Sequence, residues 1–517
     1  MKWSVGKILS KRALLTPDKT AIVFEDTPIT YKMLDAASNR IARFLQDRGL
    51  KRQDRVAVDL FNCPELIACY FAAAKLGLIF VPLNYRQVSE ELAYQLNHAD
   101  CRLLLFHSGL QPYIEKIRFD VPVQPGNFVQ LRQASTPAVD LPEWAVDYNQ
   151  TMEGYPDDAV APASPVGEDD PLMILYTSGV SGFPKGAVIS HAQTYFKNFQ
   201  IIIHTDMREA DVFLSQCPLC HSAGIAAVVT PVLCRGATLI MREKFDPRQF
   251  GRDIETYRAT IVFALTTMLR FVLDTGVLDG IDHSSVRVLL GGGERTPDSL
   301  VYALAEKGLY LQMGYGQTEN SGMSLMPRDY VLEKTGSCGF ANFFTDVWVE
   351  DEDGEPAPPG DIGHIVATGP NVMSGYWNAP ETTAATIVNG KLYTGDLGYT
   401  DADGFLYHVD RSKDMYRSGG ENVYPAEVER VLAGHPAIEN VAIIGVHDNK
   451  WGETGKAFIV PKNGTQLSAA DVRNFLDGKV AKYKHPKQVV FVDSFPLSSW
   501  GKVKKAELKN GACQQGK

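Results

Sequence analysis

Leu172-Met173-Ile174-Leu175-Tyr176-Thr177-Ser178-Gly179-Val180-Ser181-Gly182-Phe183-Pro184-Lys185-Gly186-Ala187-Val188-Ile189-Ser190 runs from an apolar stretch, through glycines, hydroxyls and one lysine, into a second apolar stretch. Leu172 to Leu175 reads as a strand and Ala187 to Ser190 as strand-like, so the loop from Tyr176 to Gly186 hangs between two sheet elements. Its residue types suit phosphate. Glycines let backbone N–H groups approach oxyanions, Thr177, Ser178 and Ser181 add hydroxyl donors, and Lys185 adds a point charge. It is not a Walker loop: Pro184 stands where that motif needs glycine before its lysine, and no Ser or Thr follows Lys185.

Outward from this loop, the chain from Asp54 to about Glu319 alternates short apolar runs with helical stretches, the pattern of a parallel sheet wrapped by helices. Arg55 to Leu60 reads as a strand, Pro64 to Leu76 as a helix opened by proline and closed by Gly77, and Leu78 to Pro82 as the next strand. The cycle recurs at Thr238 to Met241, Thr260 to Leu265, Val286 to Leu290 and Leu309 to Met313. Between Asp346 and Asp410 the pattern changes to short strands broken by Asp353-Gly354, Pro358-Pro359-Gly360 and Asp403-Gly404. After Arg411 comes an αβ stretch: a helix from Pro425 to Leu432, strands at Val441 to Val446 and Ala457 to Val460, a helix from Ser468 to about Lys482 with Ser468 and Asp471 as its capping box, and a strand at Val489 to Val492. The fold class is therefore α/β. A large N-terminal domain, 1–411, carries helix-covered parallel sheets and a β-rich subdomain at about 340–410; a small α+β C-terminal domain spans 412–517.

At 517 residues the chain is long enough for at least two well-buried domains, and 45% hydrophobic with 22% charged residues is ordinary globular composition. A net charge of −10 offers no basic field to gather nucleic acid, so any phosphate site must be local. Lys7, Lys11, Arg12 and Asp18 interrupt the N-terminal apolar residues, and no stretch supplies roughly twenty continuous apolar residues, so neither an export signal nor an integral membrane segment is expected. Eight cysteines without a framework spacing suit a reducing, cytoplasmic location. Cys217-Pro218-Leu219-Cys220-His221 spells a haem-attachment and redox-like motif; without export, and in a chain otherwise organised, the better reading is a buried strand end.

Five motifs in order identify a resemblance: the loop above, Tyr315-Gly316-Gln317-Thr318-Glu319, Tyr393-Thr394-Gly395-Asp396, Asp410-Arg411-Ser412-Lys413-Asp414, and Gly501-Lys502. Together they resemble the adenylate-forming family that includes acyl-CoA synthetases, aryl-CoA ligases, luciferases and nonribosomal-peptide adenylation domains, over nearly the whole chain. Val180 and Trp500 depart from the family pattern, which usually has Thr or Ser at the first position and a small residue at the second.

The resemblance implies a two-step reaction using ATP, Mg2+ and coenzyme A: a carboxylate attacks the α-phosphate to give an acyl-adenylate and pyrophosphate, and the thiol of coenzyme A then displaces AMP. Both reactants of the first step are anions, so the work is charge neutralisation and alignment. Thr177, Ser178, Gly179, Ser181, Gly182 and Lys185 would hold phosphates together with Tyr315, Gly316 and Thr318. Glu319 would hold magnesium, which favours oxygen ligands shared with phosphate. Gly293 and Glu294 match the adenine site, and Asp396 and Arg411 the ribose site. Lys502 matches the lysine that reaches the carboxylate and α-phosphate, so Lys502, Thr177, Glu319 and His221 are the groups expected at the reacting atoms. His221 matches the histidine closing the acyl pocket, with Gly291, Gly292, Gly314 and the aromatic helix of Tyr195, Phe196 and Phe199 as further acyl contacts. A swing of the C-terminal domain about Lys413 would withdraw Lys502 and bring Gly419 and Gly420 to the coenzyme A tunnel.

The expected partners are a small carboxylic acid, ATP and coenzyme A, with no nucleic acid and a homodimer as the open assembly. Gly419-Gly420-Glu421-Asn422 and Trp451-Gly452-Glu453 resemble fatty and medium-chain members and favour a fatty acid. An aryl acid, or delivery of the acyl group to a carrier protein or an amine, is the alternative. A non-enzymatic scaffold would have no need to keep Lys185, Glu319, Asp396 and Lys502 together.

Overall fold

In the computed structural model Pro64–Leu76 is a helix with proline in its first turn and Gly77 in left-handed backbone (φ 72°) at its end, the conformation glycine takes most cheaply. All of its residues except Glu65 are buried. A helix apolar on every face must be an interior layer. The core around it draws Val56, Val58, Leu103 and Leu105 from one sheet and Ile22, Leu239, Met241 and Ile261 from another.

The structure describes residues 4–133, 139–177, 184–293, 296–411, 414–418, 421–448, 451–477, 479–480, 482–497 and 503–509. The chain divides into two compact units, Met1–Val347 with Ala367–Leu392, and Trp348–Val366 with Tyr393–Lys517. In the first, one sheet runs Gly375–Tyr376, Lys185–Ser190, Pro171–Thr177, Ile79–Pro82, Arg55–Asp59, Cys101–His107, Phe128–Leu131, Val146–Asp147. Its pairs are parallel from Pro171–Thr177 onward. The other sheet has the parallel interior Leu311–Tyr315, Val288–Gly292, Ile261–Leu265, Val212–Leu214, Thr238–Met241, Thr20–Phe24, with antiparallel strands at both edges. The α/β class expected from the sequence is the observed one. Two strands sit two residues later than the apolar runs suggest, because Val288 is the first residue to register with Ile261 and Leu311 with Leu289.

In the second unit Lys391–Thr400 pairs antiparallel with Leu406–Arg411, in a sheet completed by Asp346–Glu350 and Gly363–Thr368. A further sheet pairs Ile438–Asp448 with Gly452–Pro461, and the helix Pro425–Ala433 packs on its core. The Asp410 carboxylate accepts from the Ala426 N–H at 2.8 Å, capping that helix. Ser468 and Asp471 make the predicted capping box, but the helix is only Ala469–Leu476: Asp477 takes extended backbone and ends it, and Lys482–Lys484 is a separate single turn. Grouping by compactness puts the strands from Tyr393 to Arg411 with the C-terminal segment; a division at 411/412 concerns motion, which compactness does not address. No described helix is long and apolar enough to cross a membrane.

Candidate active site

Pro171–Thr177 and Lys185–Ser190 run antiparallel, so the glycine-hydroxyl loop closes a hairpin whose last paired residues are Thr177 and Lys185. Ser178, Gly179, Ser181 and Gly182 lie outside the described residues. The two ends are pinned from one neighbouring helix, Ser89–His98: the Tyr176 hydroxyl sits 2.9 Å from His98 Nδ1, and the Tyr94 hydroxyl donates to the Pro184 carbonyl at 3.3 Å.

On the other side of Lys185–Ser190 the short strand Gly375–Tyr376 pairs antiparallel, with Tyr376 opposite Ala187. That register lays the Tyr376 ring under the Lys185 ammonium, 5.3 Å from its centroid, a cation–π contact. The Tyr376 hydroxyl donates to Glu319 Oε1 at 2.7 Å, while Met373 N–H donates to the Glu319 carbonyl at 2.7 Å. One tyrosine thus couples the loop lysine to the glutamate of the second motif. The sequence reading missed it. Gly375-Tyr376-Trp377 reads as an ordinary apolar turn into a strand, and only the pairing across nearly two hundred residues gives the hydroxyl its partner.

Glu319 sits on a loop between Tyr315, the end of its strand, and Met323, whose N–H donates to the Tyr315 carbonyl at 2.8 Å. The loop can fold back this sharply because a Cβ on Gly316 would lie 2.5 Å from the Gly322 backbone. Asn320 fixes its interior by accepting from Gln317 N–H at 2.9 Å. Thr318 is carried beside it, its hydroxyl 3.4 Å from that of Ser222. No group of three His, Cys, Asp or Glu side chains that could cage a metal occurs among the described residues. Glu319 is therefore a single carboxylate with Oε2 free of protein hydrogen bonds among the described residues, the donor set magnesium uses when phosphates and water complete its shell.

His221 directly precedes Ser222 and the wide π-helical turn Ser222–Val229. It is buried, with Nε2 3.5 Å from Asn84 Nδ2. The Asn84 oxygen accepts from Arg86 N–H at 3.1 Å, so its nitrogen end faces the ring. Gly291 and Gly292 lie on the strand parallel to Leu311–Tyr315, which carries Gly314. A Cβ on Gly291 would meet Leu311 at 2.7 Å and one on Gly292 the Gly314 carbonyl at 3.0 Å, so these glycines bring the two strands together. Gly293 opens the turn beyond them; Glu294 is not among the described residues. In the helix His191–His204 the Tyr195 hydroxyl donates to the Ser4 carbonyl at 3.1 Å, Phe199 lies 6.0 Å from Tyr195, and Phe196 meets Phe344 at 5.5 Å. The buried side chains of this helix are polar, Lys197 and Gln200 among them.

Cys217 and Cys220 are buried free thiols, and burial pushes Cys217 up to about 11 and Cys220 higher still. Neither is poised for redox or attachment chemistry.

In the second unit Asp396 and Arg411 are Cα partners in the antiparallel pair, so the two positions assigned to the ribose stand directly opposite each other. Asp396 is 2% exposed; His408 Nε2 lies 3.7 Å from its Oδ1, and its N–H donates to the Thr394 hydroxyl at 3.1 Å. Lys413, Gly419, Gly420 and Lys502 lie outside the described residues.

The AMP-binding enzyme family pattern matches residues 9–377, and the AMP-binding enzyme C-terminal domain pattern matches 427–502. Feruloyl-CoA synthase of an Amycolatopsis species is 37% identical over 500 residues, covering 96% of this chain and 97% of that protein. Long-chain-fatty-acid–CoA ligase FadD13 of Mycobacterium tuberculosis is 34% identical over 509 residues, 98% of each. Among solved structures, o-succinylbenzoate CoA synthetase of Bacillus subtilis in complex with its acyl-adenylate intermediate superposes with a TM-score of 0.88 at 30% identity, over 99% of both chains.

Proposed function

The chain belongs to the AMP-binding enzyme family and is an ATP-dependent, AMP-forming acid–CoA ligase that uses Mg2+ and coenzyme A; from that premise we propose that its acid is an aryl acid and that the two half-reactions are run by the residues named above. The Lys185–Tyr376–Glu319 linkage carries the reading of the adenylation centre. Lys185 and the Thr177 hydroxyl face the phosphates at the hairpin mouth, Thr318 adds a hydroxyl, and Tyr376 holds the Glu319 carboxylate in place. Magnesium bound by Glu319 would neutralise phosphate charge, so that a second anion can approach. Asp396 and Arg411 hold the ribose, Gly293 and Glu294 the adenine, and Lys502 meets the carboxylate and α-phosphate. His221 closes the acyl pocket. A pivot at Lys413, dividing 1–411 from 412–517, then exchanges Lys502 for Gly419 and Gly420 and opens the route for the thiol.

An aryl acid bearing polar ring substituents is favoured over a plain alkyl chain by the polar burial on helix His191–His204, whose donors a bare hydrocarbon would leave unsatisfied. The feruloyl-CoA synthase relative supports the same choice. A fatty acid is the second reading, supported by the FadD13 relative and by the two C-terminal motifs. The CoA ligases among the relatives support coenzyme A as acceptor over a carrier protein or an amine. A cytoplasmic location accords with the free buried cysteines, and a homodimer is the proposed assembly.

The test is acid-dependent turnover with ATP, Mg2+ and coenzyme A over a panel of aryl and alkyl acids. The expected result is AMP, pyrophosphate and thioester in equal amounts, with aryl acids showing the higher kcat/KM. Higher kcat/KM for alkyl acids of every length would replace the aryl reading, and nucleotide cleaved with no thioester would remove coenzyme A as acceptor.

A further inference from the structure

Two lysines are deeply buried in the first unit, and they differ in company. Lys75, 8% exposed, meets four oxygens: Asp35 Oδ1 at 2.6 Å, the Ser38 hydroxyl at 2.5 Å, Asn39 Oδ1 at 2.6 Å and the Asp35 carbonyl at 3.5 Å. Lys197, 1% exposed, has none; among the described residues no hydrogen bond or ion pair reaches its Nζ. An isolated buried ammonium is among the costliest things a fold can hold, so without a partner the group tends to shed its proton. Burial accordingly pushes the Lys197 amine down to about 7.

The helix that carries Lys197 adds a further buried donor with no partner among the described residues. Gln200, one helical turn on, uses Oε1 to accept from Phe344 N–H at 3.0 Å and from the Thr345 hydroxyl at 2.7 Å, which fixes its amide and leaves Nε2 as a buried donor with no partner among the described residues. Thr345 lies 3.0 Å from Asn371 Oδ1, whose Nδ2 donates to the Asn320 carbonyl at 2.8 Å. Asn320, next to Glu319, has its Oδ1 taken by Gln317 N–H, so its Nδ2 is another donor without a partner among the described residues. Asn198 differs, because rotating its amide would let it donate to Thr230.

The helix carrying Lys197 packs on one flank against the turn that follows His221, through Thr230, and on the other against Phe344 and Thr345. Around the helix Lys197 stands between Asn198 and Gln200, so it faces the space between the turn that follows His221 and the segment Phe344–Thr345. Resting on the ligase reading and deepening it, we propose that Lys197 is a specificity-determining residue that receives a second carboxylate at the far end of the acid substrate, with Gln200 Nε2 beside it.

Matched acids test this: glutarate against pentanoate, adipate against hexanoate, and 4-carboxyphenylacetate against 4-methylphenylacetate, each assayed for acid-dependent AMP release and thioester formation. The wild-type protein should favour the diacid of at least one pair by about tenfold or more in kcat/KM, the scale of a hydrogen bond to a charged group. Lys197→Met, close in shape and uncharged, should lower that diacid-to-monoacid ratio by about tenfold or more, with a melting temperature no lower than wild type. Thioester formed from the monoacids with no preference for any diacid overturns the inference, needs no variant, and leaves the ligase reading intact. An unchanged ratio in a folded Lys197→Met also overturns it. Acid-dependent AMP release absent from every pair would overturn the ligase reading and the inference together.

Discussion

Tyr376 touches both charges that the nucleotide would have to satisfy, holding Glu319 through its hydroxyl and Lys185 through its ring. Tyr376→Phe keeps the ring and loses only the hydroxyl. A hydrogen bond to a carboxylate is worth about 1.5–3 kcal/mol, so pyrophosphate exchange should fall about tenfold or more and need more Mg2+ for half-maximal rate. An unchanged magnesium dependence in a folded variant would dismiss the positioning role. At this scale Thr177, Lys185, Thr318, Glu319 and Asp396 were legible, because a motif fixes residue type and spacing within one stretch. Tyr376 and Lys197 were not. A tyrosine beside a tryptophan and a lysine in an aromatic helix look like core and surface until strand pairing and packing supply their neighbours.

Strand Arg55–Asp59 ends in a carboxylate that is 0% exposed and accepts no hydrogen bond from the described residues at either oxygen. Burial alone pushes Asp59 up to about 7, from 3.8 in an unfolded chain. Between these values the folded state keeps a proton that the unfolded chain has released, so Asp59 subtracts stability as pH rises through the window and continues to do so above it. Asp59→Asn, which cannot ionise, should therefore gain over wild type by an amount that widens by roughly 2–3 kcal/mol between pH 5 and pH 8. Melting curves of the two proteins that stay parallel over that range would refute the assignment. Elements themselves were largely readable: Pro64–Leu76 and Thr238–Met241 stand where proline, glycine and β-branched residues indicate. The shortened helix Ala469–Leu476 was not, since its end depends on one backbone turn at Asp477 that residue type does not dictate.

For the molecule as a whole, the α/β architecture was legible because parallel strands and crossover helices impose a repeating pattern on hundreds of residues. What the pattern could not supply was which strands flank the phosphate loop; the hairpin partner Gly375–Tyr376 arrives from far along the chain. The proposed swing belongs to this scale too. Lys413→Pro stiffens the backbone there, and should spare adenylate formation, followed by pyrophosphate exchange, while slowing thioester release by a larger factor. Equal loss of both steps would remove the pivot from Lys413. The bond from Ala426 N–H to Asp410 bears on that motion, since its two ends lie on either side of Lys413. A helix cap contributes about 1 kcal/mol, so a pivot between donor and acceptor would make this contact a detent: released once and re-engaged once in every catalytic cycle, weighting the resting enzyme about fivefold toward whichever stance keeps it closed.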